Sequence, residues 1–376
     1  MLGMRRPSAT DSVDRGQLGA LSPHEPTSGH RSWAMHRWHK EKVQLFPKPF
    51  SLYDDVPRLF RDHILPGHLP PRPLLTERDT VVTLGSCFAL ELRQVLELAR
   101  FASGSFWIPS GLNNSFAILD FVSWCIAGEG TSGAYRYERS SDGEIKEWLP
   151  EEERQRYLAH IVEAGAFVFT LGLAEVWTDS ETGGVFWRGV PEDIFEEGRH
   201  VFRLSSVEEN ERNIVETIRL IRSVNRDAPI VLTLSPVPLE ATFRDISCMT
   251  ADCVSKSVLR VALDRVMSDG PENTYYWPSF ELVKWAGSAF DWRAWEGDAR
   301  HARRYLVYCI VDAFVEAFYG PKLAATVRER LRDSGWSTSE PHRLRRGLTE
   351  SRRYSLALAA RAQRAPARMR RLASRG

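Results

Sequence analysis

Residues 81–89 have the sequence Val-Val-Thr-Leu-Gly-Ser-Cys-Phe-Ala, and this stretch decides the fold class. Its first half is a short β-branched run that predicts a buried strand, and its second half begins an amphipathic helix. A Gly-Ser-Cys turn between a strand and a helix holds a nucleophile at the carboxyl edge of a sheet, beside the N–H groups of the helix start. A helix start also lowers the pKa of a thiol. Cys87 is therefore the candidate nucleophile, and Ser86 is its rival because a hydroxyl there can attack or can cap the helix.

Further strands and helices alternate along the chain after this first unit. Buried strands, each followed by a helix, indicate a mostly parallel sheet that is covered on both faces. Ligands of such folds bind beyond the carboxyl ends of the strands. The predicted strands are Val81–Leu84, Ala166–Leu171, Ile230–Leu234 and Thr274–Trp277, and the predicted helices are Phe88–Phe101, Asn114–Ile126, Glu151–Ala164, Ser205–Val224, Asp252–Met267 and Arg303–Phe318.

A carboxylate precedes a histidine by three residues near the end of this pattern, at Asp298 and His301. Within one turn the acid can orient the ring, as the acid of a catalytic triad does. Together with Cys87 or Ser86, the pair supplies a nucleophile, a base and an orienting group for acyl transfer. Either motif alone is weak evidence, but their order along one α/β pattern favours an enzyme.

Four more residues are candidates for the same site. Gly172 ends a predicted strand, and its N–H can serve an oxyanion hole, while Glu175 and Trp177 follow closely enough to line the site. A packing glycine beside a core tryptophan is an equally good interpretation. Asn114 can donate its side-chain amide to an oxyanion or can cap the next helix.

Composition divides the chain into four regions. Residues 1–35 lack periodicity and are typical of a disordered leader, and residues 36–74 are rich in proline and aromatic residues, which indicates an extended arm packed on the core. The core domain is predicted over 75–320. Residues 321–376 combine a charged helix with an arginine-rich tail that is either solvated or in contact with an anionic surface.

Bulk composition excludes several classes of protein. With 43% hydrophobic and 26% charged residues, the chain is typical of a soluble globular protein, and a net charge of +1 argues against general nucleic-acid binding. No run of about 18 apolar residues predicts a transmembrane segment. The 5 cysteines form no Cys-x-x-Cys pair, so we expect no disulfide framework, no metal and no cofactor, and a cytoplasmic location.

Several of these motifs resemble a known family. Residues 83–89 resemble the signature for which the GSCFA family is named, and that family is grouped with the SGNH, or GDSL-type, hydrolases. The likeness covers roughly residues 75 to 319, and further similar stretches are Gly111–Ala117, Thr170–Trp177, Ser235–Thr242, Ser255–Arg260, Trp277–Val283, Asp291–Arg293 and Asp298–His301.

The resemblance implies a three-layer α/β/α sandwich and an esterase or O-acyltransferase that acts on an acyl ester, with carbohydrate esters among the candidate substrates. Counting from Gly85, the nucleophile position of the superfamily falls on Cys87. The Gly-x-Asn-Asp block of the superfamily resembles Gly172–Glu175, where Ala174 replaces the oxyanion asparagine, and Ala302 replaces the family's proline after the histidine. These departures and the abundant tryptophans support an alternative, a non-catalytic domain that binds a carbohydrate or acyl ligand. A third hypothesis is an adaptor that contacts a membrane surface through the arginine-rich tail.

Overall fold

The computed structural model describes residues 55–104, 106, 112–128, 137–139, 142–147, 151–290, 295–298 and 300–334. The predicted leader, the first part of the arm and the arginine-rich tail lie outside these ranges. In chain order the elements are α1 (Val56–Leu59), a π-helical turn (Phe60–Ile64), β1 (Val81–Gly85), α2 (Cys87–Leu98), β2 (Ser103–Gly104), α3 (Ser115–Ala127), β3 (Tyr137–Arg139), β4 (Ile145–Glu147), α4 (Glu151–Val162), β5 (Ala166–Leu171), β6 (Glu175–Asp179), a 3₁₀ turn (Glu192–Ile194), β7 (His200–Leu204), α5 (Val207–Val224), β8 (Ile230–Leu234), α6 (Cys248–Ser268), β9 (Thr274–Trp277), α7 (Ser279–Phe290), α8 (Arg304–Tyr319) and α9 (Pro321–Asp333).

The central sheet has five strands in the order β2-β1-β5-β8-β9, and every neighbouring pair is parallel. The chain first steps from β1 to β2 on one side and then returns to place β5 on the other side of β1. This reversal is a topological switch point, where the loops after β1 and β5 diverge and leave a crevice at the carboxyl edge of the sheet. The strand order therefore predicts the ligand site beyond the ends of β1 and β5.

Helices cover both faces of this sheet because successive side chains of each strand point to opposite sides. On one face, Val81, Val168 and Trp277 pack with α1, α2, α7, α8 and α9 in one buried apolar cluster. On the other face, Val82 and Phe169 pack with α3, α4, α5 and α6 in a second cluster. The three-layer α/β/α fold predicted from the sequence is confirmed.

Several features differ from the sequence predictions, among them the short strands β2, β3 and β4, which were not predicted. The arm is not wholly extended, because α1 and the π-helical turn form there and bury Val56, Leu59 and Phe60. Helix α7 was not predicted. Strands β6 and β7 form an antiparallel hairpin that was not predicted either, and it stands apart from the central sheet directly after β5.

None of the helices in the described ranges combines the length and the apolar composition that a bilayer crossing requires.

Candidate active site

The turn after β1 is shaped by a glycine that no other residue can replace without movement. Gly85 has φ +119°, and a Cβ atom there would lie 2.2 Å from the carbonyl oxygen of Thr170 on β5. Glycine accepts this backbone conformation and this close approach because it has no side chain. The neighbouring N–H of Ser86 donates to the same carbonyl at 3.2 Å, so the turn is held tightly against β5.

Ser86 occupies the N-cap position of α2, yet its hydroxyl caps nothing. No hydrogen bond joins its side chain to the first turn of the helix. Its Oγ is buried and has no hydrogen-bond partner among the described residues. Of the two roles predicted for Ser86, capping is therefore wrong, whereas attack on a substrate stays a prediction. A buried polar atom without a partner costs free energy and calls for an explanation such as a catalytic role.

Cys87 is the first residue of α2, so the backbone has the strand-to-helix form that its predicted role requires. The side chain of Cys87 lies outside what the structure describes. Its expected proximity to His301 therefore stays a prediction.

His301 and Asp298 form a hydrogen-bonded pair in the loop before α8. Nδ1 of His301 lies 2.5 Å from Oδ2 of Asp298. Oδ1 of Asp298 accepts the backbone N–H groups of Arg300 and His301, each at 3.0 Å. The backbone N–H of Arg300, followed by the ring and N–H of His301, holds the pKa of the Asp298 carboxyl well below its usual range. Asp298 is thus ionised at neutral pH and orients the imidazole through Nδ1.

Backbone contacts hold the loop that carries this pair. The N–H of Glu296 donates to the carbonyl of His301 at 2.8 Å, and Trp295 and Ala302 pair through an isolated antiparallel β-bridge. The guanidinium of Arg300 donates to the carbonyl of Pro238 at 3.1 Å. The histidine loop is thereby tied to the segment after β8.

The backbone groups of the turn after β5 are hydrogen-bonded to other parts of the protein. The N–H of Gly172 donates to the carbonyl of Asn113 at 2.6 Å, and its carbonyl accepts Nζ of the buried Lys256 at 2.8 Å. The N–H of Ala174 donates to Oγ of Ser255 at 2.9 Å. The prediction that the N–H of Gly172 serves an oxyanion hole is therefore wrong for this conformation, because Asn113 already uses that group.

Asn114 is a structural cap. Its Oδ1 accepts the N–H of Ala117 at 2.8 Å at the start of α3, and its Nδ2 donates to the carbonyl of Trp187 at 3.0 Å. Asn113, which the sequence did not single out, lines the cleft, and its Oδ1 is buried without a partner among the described residues. Sequence alone cannot tell which of two adjacent asparagines caps a helix and which leaves a side-chain oxygen unpartnered in a cleft.

Glu175 is buried, and its carboxylate is already occupied. Oε2 accepts the hydroxyl of Thr242 at 2.8 Å, and Oε1 accepts the guanidinium of Arg244 at 3.2 Å. Its role is to hold the segment after β8 against the β6–β7 hairpin. Trp177 lines the cleft beside Phe202 and Phe243, two rings that the sequence did not mark as site residues.

These elements enclose a cleft of about 550 Å³ at the carboxyl edge of the sheet. The cleft is lined by six of the predicted site residues, namely Ser86, Asn114, Gly172, Glu175, Trp177 and His301. Arg188, Ser235 and Arg300 add polar groups that were not predicted. Across the described part of the chain, no group of three or more His, Cys, Asp or Glu side chains is arranged to hold a metal ion. An oriented imidazole and an unpartnered hydroxyl in one cleft are suited to acyl-transfer chemistry.

Comparison with known proteins gives one family and one structural likeness of note. No curated protein matches the chain. Among solved structures, the chain is similar to a carbohydrate esterase family 3 protein from Talaromyces cellulolyticus, with 10% identity, a TM-score of 0.31 and coverage of 67% of this chain and 99% of that one. The model of the GSCFA family matches residues 80–314, which is more than half of the sequence, and the chain therefore belongs to the GSCFA family.

Proposed function

We propose that this protein is an esterase or O-acyltransferase of the SGNH type that works through a covalent acyl-enzyme. The observation that carries the proposal is His301, which lines the same cleft as the turn after β1 and is hydrogen-bonded to Asp298. That turn presents Ser86 with an unpartnered hydroxyl and begins α2 at Cys87. A base, an orienting carboxylate and a nucleophile position at one cleft are the parts that acyl transfer needs.

In the proposed reaction, the nucleophile at Cys87, or Ser86, attacks the acyl carbonyl carbon and its proton passes to Nε2 of His301. Collapse of the tetrahedral intermediate breaks the ester C–O bond, and the leaving alcohol takes that proton. Water or an acceptor hydroxyl then attacks the acyl-enzyme and gives its proton to Nε2 of His301. Collapse of this second intermediate breaks the bond between the acyl carbon and the nucleophile, which takes the proton back from His301 as the acid or the new ester leaves. Asp298 stabilises the imidazolium in both halves, because its carboxylate stays charged.

The negative charge of the intermediate needs donors other than Gly172. The N–H groups at the start of α2 are one source, because the first turn of a helix has no intrahelical acceptor for them. The side-chain amide of Asn113 is the second proposed donor. Its backbone carbonyl binds the N–H groups of Gly172 and Leu173 at 2.6 and 3.1 Å, which fixes this residue against the turn after β5.

An activated acyl donor tests the proposal directly. Protein incubated with 4-nitrophenyl acetate and quenched in acid should gain the mass of one acetyl group less one hydrogen. Peptide mapping should place that mass on the segment containing Ser86 and Cys87, and the His301→Ala variant should acquire it far more slowly. A protein that turns over no ester and forms no adduct, or that carries the adduct elsewhere, contradicts the proposal.

A second candidate function is a non-catalytic domain that binds a carbohydrate or acyl ligand. It is favoured by the turn after β5, where Ala174 stands in place of the superfamily's oxyanion asparagine and the N–H of Gly172 is already used. Saturable binding of a ligand in this cleft, without adduct or turnover, would favour it over the enzyme.

We also propose that the protein acts in the cytoplasm and that its ester is a small molecule or a glycan. Among the cysteines whose side chains the structure describes, Cys248 and Cys253 are free, which suits a reducing compartment. Contact of the arginine-rich tail with an anionic surface stays a proposal on sequence alone.

A further inference from the structure

One wall of the cleft is built from aromatic rings. The ring centroid of Trp177 on β6 lies 5.2 Å from the centroid of Phe202 on β7 and 5.0 Å from the centroid of Phe243. The rings of Phe202 and Phe243 are themselves 5.1 Å apart. These three residues, here called the aromatic wall, all line the cleft. A fourth ring, that of Phe195, contacts Trp177 at 5.7 Å but is not part of the lining.

Phe243 stands out within the aromatic wall because it is exposed. Although it touches two rings, 70% of its surface is open to solvent. A large apolar side chain left open at a cleft, next to other apolar groups, marks a place where an apolar partner binds. Val201 and Ile246, close to Phe202 and Phe243 in the chain, are also exposed.

The exposed ring is held in position by an ion pair whose carboxylate is buried and whose guanidinium is partly exposed. Both chain neighbours of Phe243 bind the carboxylate of Glu175, Thr242 at 2.8 Å and Arg244 at 3.2 Å. The side chain of Glu175 is only 3% exposed, so these contacts are shielded from solvent. The N–H of Arg244 also donates to the hydroxyl of Thr242 at 3.2 Å. The protein therefore fixes the backbone on both sides of an apolar ring that it leaves uncovered, which is the arrangement of a preorganised binding surface.

The aromatic wall is continuous with the catalytic end of the cleft. The carbonyl of Pro238 binds the guanidinium of Arg300, the residue before His301. Phe243 follows Pro238 by five residues, and five residues of chain span at most about 18 Å. The aromatic wall therefore lies within about 18 Å of the segment that binds Arg300. The cleft of about 550 Å³ lies within the range of about 300–1,000 Å³ that is usual for small-molecule sites. An acetyl group alone would leave most of it empty.

We propose that the aromatic wall is an acyl-chain subsite and that the substrate carries a straight acyl group longer than acetyl. This inference rests on the proposed function. Phenylalanine rings offer no donor or acceptor to sugar hydroxyls, whereas they gain from every methylene that they remove from water. Each buried methylene is worth up to about fourfold in binding. The polar groups of Ser86, Asn113 and His301 lie where the ester itself would react.

A chain-length series tests the subsite without an aromatic leaving group. The rate of acid release from ethyl acetate, ethyl butanoate and ethyl octanoate is followed in a pH-stat. We expect kcat/KM to rise from acetate to octanoate, and Phe243→Ala to lower the preference for octanoate over acetate about fivefold to tenfold. Phe195→Ala is the matched control, because it removes a ring that contacts Trp177 from outside the cleft and should keep the preference.

Calorimetric titration with octanoate and with acetate separates the subsite from the chemistry. Tighter binding of octanoate, weakened in Phe243→Ala, supports the subsite even if no ester is turned over, in which case only the proposed function fails. Hydrolysis that is fastest with acetate, together with equal binding of the two acids, overturns the subsite and leaves the function intact.

Discussion

The turns after β1 and β5 lie side by side at the switch point of the sheet, and they are built in opposite ways. After β5, the polar groups of Gly172, Ala174 and Glu175 are taken up by partners from α6, the segment before α3 and the segment after β8. After β1, the backbone of Ser86 is tied to Thr170, but its hydroxyl has no partner among the described residues.

This difference bears on which of the two turns can bind a substrate through its polar groups. Polar groups that the protein has already paired are not available to a substrate, since binding one would first break a buried hydrogen bond. Polar atoms left without a partner at a cleft are the ones that a substrate can satisfy. Ser86 and Asn113 have such atoms and line the same cleft, and the proposed reaction is therefore expected at the turn after β1, with the turn after β5 in support.

The largest effect is expected from Cys87→Ala, which should lower acyl transfer by about 10³-fold or more, because only binding and the oxyanion hole remain. Ser86→Ala should retain a measurable fraction of activity and an unchanged melting temperature, because its hydroxyl caps no helix N–H. Initial rates and thermal melts of both variants decide between them. An active Cys87→Ala with an inactive Ser86→Ala would make Ser86 the nucleophile.

Asp298→Asn should lower kcat by about 10²- to 10⁴-fold, because the neutral amide no longer stabilises the imidazolium or holds the required tautomer. Its side chain is 45% exposed, so the melting temperature should change little. Asp264→Asn is the matched control, since that carboxylate pairs with Arg260 away from the cleft. Equal kcat values for both variants would remove Asp298 from the mechanism.

The two adjacent asparagines should separate activity from stability. Asn113→Ala should lower kcat by about 10²-fold, the loss typical of one oxyanion donor, with little change in stability. Asn114→Ala should lower the free energy of unfolding by about 1 kcal/mol, because it removes the cap of α3. Rates and urea unfolding of both variants test this. The reverse pattern would return the oxyanion role to Asn114.

The smallest effect is expected from Gly172→Ala. Its Cβ would lie 3.5 Å or more from its neighbours, which is ordinary contact, so the free energy of unfolding should change by no more than about 0.5 kcal/mol. Gly85→Ala should instead cost about 3 kcal/mol or more, because of its positive φ and the 2.2 Å approach to Thr170. Similar urea midpoints for the two variants would contradict this prediction, because they would show that both turns tolerate an added Cβ atom equally well.

Much of the fold follows from the sequence by itself. Strands β5, β8 and β9 have the predicted bounds. For β5 and β8 the reason is that a strand buried on both faces is a nearly continuous apolar run, which the sequence shows without knowledge of its partner strands. The strand-turn-helix unit at Gly85 and the pairing of Asp298 with His301 are equally local. Each of these two features depends only on residues a few positions apart in the sequence, so their spacing alone predicts them.

Only the tertiary structure decided which predicted groups are in use. Gly172 is bound by Asn113, Glu175 by Arg244, and Trp177 by Phe243, and each partner comes from a segment far away in sequence. The β6–β7 hairpin that carries Trp177 escaped prediction because its two short strands mix polar and apolar residues and are stabilised by pairing with each other rather than by a recognisable pattern of their own. The residue type determines which hydrogen bonds and contacts a side chain can make, whereas the partners that the fold brings to it determine which of its groups remain available to a ligand.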